Sequence, residues 1–326
     1  MSAPMNVWQR WLRKPRTMLL RKASFQIHLW VGLAIGLYIL MLSVTGSALV
    51  FRREMDRAAR PQGPPLVADK PILSKEALAR SAERAYPGYT VDRVGDPQRR
   101  TALVRVVLQR NGAEPLERDF NGYTGEDLGE PWPWQAEALL TLAELHDDLL
   151  LLDDRRGRFW NGIGSILVTL LCLTGLVLWW RGLKVWRRGF WFTWRAGWPR
   201  FNFDLHSSLG VWFFAILLIW AVTGIYLAFP DPFTQAVDWY WGPIENFETE
   251  RFGDVLLAWL VRLHFGRWRS HTLKVAWVIM GLIPAVMFVT GAAMWWHRVV
   301  VRRRTTAESA EAPQLVTLRQ EPQQVE

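Results

Sequence analysis

Four stretches of this chain, residues 25 to 51, 160 to 180, 207 to 229 and 273 to 297, carry almost no charge, and each approaches or exceeds the ~20 residues a helix needs to cross a bilayer. Buried helices of a soluble enzyme rarely run so long without charged side chains. The competing soluble reading is therefore set aside, and the expected fold is a mainly α membrane protein with four transmembrane helices. Their expected bounds are 25–51, 160–180, 204–229 and 273–297.

Charge placement sets the expected orientation. Net charge is +9, but the arginines and lysines gather beside helix ends, which is the pattern of membrane topology and not of nucleic-acid binding. Residues 1–24 carry Arg10, Arg13, Lys14, Arg16, Arg21 and Lys22 and no acidic side chain, so the N-terminus is expected in the cytoplasm. A cleaved signal peptide is the alternative, but the apolar run from Phe25 is too long for a signal core and no clear Ala-x-Ala site follows. Residues 181–203, with Lys184, Arg187, Arg188, Arg195 and Arg200, form the expected cytoplasmic loop, and Arg298, Arg302, Arg303 and Arg304 open a cytoplasmic tail, 298–326, whose polar end is expected to be disordered.

Residues 52–158 are polar and charge-balanced, 17 Arg or Lys against 19 Asp or Glu, and are expected on the far side of the membrane. Ser74 caps an expected helix that ends before Pro87-Gly88, and alternating runs at 90–95, 101–109 and 115–121 read as strands. Glu137 to Leu152 is amphipathic and too short to span, so it is expected to lie at the outer interface or to dip into the helix bundle, with His146 there. A second outer loop, 230–272, carries Asp231, Asp238, Glu245, Glu248, Glu250 and Asp254, and closes with an amphipathic piece from Asp254 to Phe265 bearing His264.

The two halves repeat. His28-x3-Gly32, twelve residues and Thr45-Gly46 recur as His206-x3-Gly210, twelve residues and Thr223-Gly224. Each half then has an outer Leu-His, Leu145-His146 and Leu263-His264, and an inward helix ending Thr-Gly-x3-Trp-Trp at Thr174-Gly175 and Thr290-Gly291. This is a parallel repeat with one segment inserted, so equivalent histidines reach equal depth. On a straight helix, eighteen residues make five turns, so His28 and Gly46 would share a face, with Gly32 close by, where a flat ring could approach.

Depth then sorts the histidines: His28 and His206 at the cytoplasmic level, with Gly175 and Gly291 giving space beside them, and His146 and His264 at the outer level, with Gly46 and Gly224 near them. Histidine inside a membrane is costly and usually functional. Two imidazoles from facing helices are what a b-type haem requires, so two haem b groups are expected, on the order of 20 Å apart along the membrane normal. With Cys172 the single cysteine and no Cys-x-x-Cys-His, they would be held non-covalently. His271, near Arg269 and Lys274, is the alternative to His264; His297 reads as interfacial, the Trp-Trp pairs as membrane anchors, and the Thr-Gly pairs as close helix packing.

The stretch from Arg118 to Gly129, with Thr124-Gly125-Glu126 at its turn, resembles the strand-turn-strand signature of PepSY domains. Together with His28-x3-Gly32, Leu145-His146-Asp-Asp-Leu, His206-Ser-Ser-Leu-Gly and Leu263-His264-Phe-Gly-Arg, it makes residues 20–304 resemble the PepSY-associated transmembrane family. The resemblance implies a periplasmic α+β PepSY domain between helices 1 and 2, and a dihaem reductase of the bacterial inner membrane that passes electrons outward to ferric siderophores. It implies His28 with His206 at the inner haem and His146 with His264 at the outer one, as iron axial ligands, fed by a cytoplasmic or quinol donor. No side chain is expected to act as acid or base. Trp132, Trp134 and Trp239-Tyr240-Trp241 are candidates for the docking surface, and no nucleotide fingerprint or flavin domain is present. Two other readings stay open: a quinol-coupled dihaem cytochrome acting on oxygen species or a redox partner, and a non-catalytic PepSY binding module.

Overall fold

The structure, a computed structural model, describes residues 5–98, 100–151, 153–242 and 251–301. Glu245, Glu248 and Glu250 of the second outer loop, Leu152, Arg302 to Arg304 and the tail from Thr305 lie outside the described residues. In chain order the elements are α1 (Val7–Arg13), α2 (Leu19–Ala34), α3 (Gly36–Leu49), α4 (Arg52–Ala59), α5 (Lys75–Ala85), β1 (Thr90–Val94), β2 (Leu103–Gln109), β3 (Leu116–Asn121), β4 (Asp127–Gly129) and α6 (Trp134–Asp148). There follow α7 (Asp154–Trp179), α8 (Trp198–Trp212), α9 (Phe214–Ala228), α10 (Asp231–Trp241), α11 (Phe252–Phe265), α12 (His271–Gly281) and α13 (Ile283–Trp296). The chain is mainly helical with one small antiparallel sheet. It divides into two compact units, Phe51–Leu145 and the remainder.

In the smaller unit the strands run in the order β1-β2-β3-β4, all neighbours antiparallel. Alternation along β2 sends Val104, Val106 and Leu108 to one face, where they bury with Phe120 of β3 against Leu78 and Ala82 of α5. Ser74 caps α5, its hydroxyl accepting from the Ala77 N–H at 3.2 Å. The turn between β3 and β4 puts Gly125 at φ +71°, a conformation that favours glycine.

That turn brings Asp127 back beside Arg118, whose guanidinium donates to it at 2.8 Å, while the Tyr86 hydroxyl donates to the same carboxylate. Burial works against the Asp127 charge, but hydrogen bonds from Arg118, Tyr86 and the Gly129 N–H outweigh it and hold the carboxyl below its usual range. Burial, with the bond to Asp127, pushes the Tyr86 phenol up to about 12.

In the larger unit, α7 is 26 residues long and α12 with α13 forms a 30-residue span from His271 to Val300, each apolar enough to cross a membrane. The first and third expected helices are not single rods. They begin earlier, at Leu19 and Trp198, and each breaks: α2 and α3 meet at 62°, α8 and α9 at 65°. The breaks fall at Ile35 (φ −104°, ψ 8°) and Phe213 (φ −102°, ψ 6°), each seven residues past its histidine and neither at a proline. Five straight turns therefore do not put His28 and Gly46 on a common face.

The bends exist because each helix changes partner partway. α2 packs on α7 whereas α3 packs on α12 and α13; α8 packs on α13 whereas α9 packs on α7 and α11. At the first break, Gly36 lies flat against the Phe288 ring, which a Cβ would overlap. Beyond it, Ser43 Oγ donates to the Gly281 carbonyl at 2.5 Å and accepts from the Ala285 N–H at 3.2 Å, pegging α3 to the α12–α13 junction. At the other end of the bundle, Arg21 donates to the carbonyls of Val177, Leu178 and Trp180, at 3.0, 2.6 and 2.5 Å, and so satisfies the open end of α7.

Two expectations follow. Gly36→Ala should cost about 1–3 kcal/mol, read as earlier thermal unfolding in detergent. Most of that penalty should vanish in a Phe288→Ala background; an equal penalty in both backgrounds would mean that this contact does not govern the packing at the bend. In the smaller unit, a depressed folded pKa means that Asp127 stabilises above its unfolded value of about 3.9 and that this is lost as pH falls through the folded value. Asp127→Asn should therefore speed amide exchange of β3 and β4 at pH 7, by the equivalent of about 1–3 kcal/mol, with the gap from wild type closing in acid. A gap that does not change with pH would contradict the ionic origin.

Candidate functional site

The bends carry two levels of histidine. At one level, His28 on α2 and His206 on α8 face each other with ring centroids 6.3 Å apart and planes at 89°. His146 lies near the end of α6 and His264 near the end of α11. His271, by contrast, is exposed on the first turn of α12.

Each of the four imidazoles is held by a threonine from another helix. Thr174 Oγ1 lies 3.0 Å from His28 Nδ1, Thr290 Oγ1 2.9 Å from His206 Nδ1, Thr45 Oγ1 2.9 Å from His146 Nδ1 and Thr223 Oγ1 2.7 Å from His264 Nδ1. Each hydroxyl donates to the carbonyl four residues back on its own helix, at 2.7 Å to Leu170, 2.8 Å to Val286, 2.8 Å to Met41 and 2.7 Å to Ile219. All four threonines are buried. Sequence reasoning took these Thr-Gly pairs for helix packing; the visible signal for their role was that four such pairs accompany four histidines in a repeat.

Three of the four glycines expected beside the histidine pairs lie there. A Cβ on Gly46 would come 2.7 Å from the His146 Cε1, one on Gly175 3.2 Å from the His28 Cε1, and one on Gly291 3.4 Å from the His206 Cε1. So in three of the four pairs threonine holds the ring nitrogen and the next residue makes room for the ring edge; Gly224 instead faces the Ser165 hydroxyl. Gly32 and Gly210, read as open space beside the histidines, face Leu171 at 3.8 Å and Met287 at 3.3 Å. The space they leave is taken by side chains of the neighbouring helices.

Local chemistry fixes where the short helices stop. α6 ends at Asp148, short of the expected Leu152, because Leu149 and Leu150 adopt φ of 60° and 55° and turn the chain away. Asn161 of α7 then donates to the exposed carbonyls of His146 and Asp147, at 2.8 and 3.0 Å, and accepts the Tyr38 hydroxyl at 2.6 Å. α11 ends at Gly266 in the left-handed conformation, and the Trp277 indole donates to the Leu263 carbonyl at 3.1 Å. Neither Asn161 nor Trp277 stands out in the sequence, because each acts through a backbone carbonyl.

Elsewhere, the indoles of Trp179 and Trp180 donate to the Gly189 and Trp11 carbonyls, at 3.1 Å each. Trp134, Trp239 and Tyr240 are exposed, and Trp132 lies beneath the Arg60 guanidinium at 3.8 Å. Among the described residues no group of three or more His, Cys, Asp or Glu could hold a bare metal ion; what the site offers is nitrogen donors in pairs.

Residues 25–250 and 242–298 match a family described as the PepSY-associated TM region. The chain belongs to that family. No curated protein matches the chain. Membership of the PepSY-associated TM region family agrees with the apolar helices in making this a membrane protein, with two helices able to span and up to four if each bent pair counts as one.

Replacing Asn161 with Ala should leave the last carbonyls of α6 unbonded. Amide exchange over residues 143–148 should then quicken by the equivalent of about 1–3 kcal/mol. Unchanged exchange there would mean that Asn161 does not hold the end of α6.

Proposed function

We propose that this protein is a dihaem electron conduit of the bacterial inner membrane that reduces ferric siderophores, or related ferric complexes, on the periplasmic side. The observation that carries the reading is the fourfold clamp. Four half-buried imidazoles each engage a buried threonine through Nδ1, and among the described residues none has a hydrogen-bond partner at Nε2. A redox metal site requires its ligands in that state.

The spacing of the first pair fits. Metal–nitrogen bonds of about 2 Å on either side of one ion, with each ring centre roughly 1 Å beyond its nitrogen, put two centres about 6 Å apart, and His28 and His206 are 6.3 Å apart. Two imidazoles hydrogen-bonded directly to each other would sit about 1 Å closer. His28 with His206 would hold the inner haem b and His146 with His264 the outer one. A bound haem supplies one-electron redox chemistry at its iron.

The protein contributes orientation and insulation. Apolar helices keep water from the imidazoles, and the matched His-to-Thr bonds hold both levels in register. In this reading the larger unit is a four-helix parallel repeat, the smaller unit is a periplasmic PepSY domain, and both termini are cytoplasmic, as the cationic residues near the His28 level favour. One electron from a cytoplasmic or quinol donor converts Fe(III) of the bound complex to Fe(II). Oxygen-rich siderophores prefer the harder Fe(III), so reduction weakens their hold and the metal can leave. The exposed Trp134, Trp239 and Tyr240 are candidates for contact with the complex.

Purified protein should carry two haems and show split b-type bands on reduction, which reoxidise when a ferric siderophore is added. His28→Ala and His264→Ala should each remove one haem and abolish that reoxidation. Protein without Soret absorbance would leave a non-catalytic PepSY module. Haem that is reduced but not reoxidised by ferric siderophores would point to another acceptor.

A further inference from the structure

In all four clamps the threonine is engaged on two sides. Its hydroxyl lies within donating distance of the carbonyl four residues back on its own helix and of the one three residues back, Leu171, Met287, Leu42 and Trp220 at 3.2, 3.0, 3.4 and 3.1 Å. With its only hydrogen spent there, its oxygen is left to accept from the imidazole Nδ1. The Nδ1–H tautomer satisfies that arrangement and leaves the lone pair on Nε2.

The clamps are also crossed in a way that makes them separable. The histidines of the inner level sit on α2 and α8 and their threonines on α7 and α13, whereas the threonines of the outer level sit on α3 and α9. We propose that Thr174, Thr290, Thr45 and Thr223 are positioning residues that fix the tautomer, aim Nε2 and raise the basicity of the four haem ligands, each acting on one haem alone. This rests on the dihaem reading above. A more basic imidazole favours ferric over ferrous iron, so the clamps hold both potentials down.

The test compares Thr174→Val, which keeps the shape and removes the hydroxyl, with Thr174→Ser, which restores it, and repeats the pair at Thr45. In haem-depleted protein carrying 15N-histidine, His28 is expected as the Nδ1–H tautomer in wild type and Thr174→Ser, and as a mixture in Thr174→Val. In haem-loaded protein, Thr174→Val should weaken retention of one haem by roughly 10- to 100-fold and raise its potential, with the other haem unmoved. Thr45→Val should do the same to the other haem. A Thr174→Val protein with unchanged tautomer, retention and potential would overturn the proposal while leaving the dihaem reading intact. Wild-type protein that binds no haem would overturn both.

Discussion

The hydrogen bond between a half-buried imidazole and a buried threonine is the interaction around which this structure is arranged. In a membrane a neutral histidine can remain only if its N–H has a partner, because an unsatisfied donor there costs several kcal/mol. Threonine supplies one at little cost, since its hydroxyl is already anchored to its own helix turn and its methyl packs with lipid-like neighbours. The residue after it is glycine in all four cases, and in three of them its missing Cβ is what lets the ring edge approach. Four independent copies of one local solution imply that the ring's orientation, and not merely its presence, matters to the protein.

The two bends make that solution possible at both ends of the bundle. A straight helix would present a histidine at one end and a threonine at the other to the same neighbour. By breaking at Ile35 and Phe213, each bent pair offers its histidine to one long helix, turns, and packs its other half on a different one. The two bent pairs are thereby interlaced, α3 packing on α13 beside α8 and α9 packing on α7 beside α2. The swap is stabilised differently at each place: by the Ser43 peg at the α12–α13 junction, by Asn161 beneath α6 and by Trp277 beneath α11.

Much of this was legible in the amino-acid sequence, and for definite reasons. Length and absence of charge declared the apolar helices, period-two alternation declared β2 and β3, exact repeat spacing singled out His28 and His206, and the recurring outer Leu-His singled out His146 and His264. The bends were not legible, because no proline marks them and the driving contact, Phe288 on Gly36, joins residues 252 positions apart. The His-to-Thr pairing was hidden for a related reason: the repeat shows which residues correspond, not which helix each one meets. Gly175, Gly291 and Gly46 border the histidines the sequence assigns them to, whereas Gly32, Gly210 and Gly224 meet other side chains, since a missing side chain says that something comes close without saying what.

A crystal structure of the protein isolated from membranes, with anomalous diffraction recorded at the iron absorption edge, tests the central claim most directly. Two iron peaks are expected, one between the Nε2 atoms of His28 and His206 and one between those of His146 and His264, with every Nδ1 still on its threonine. Iron absent from both positions, or imidazoles that meet it through Nδ1, would contradict the claim.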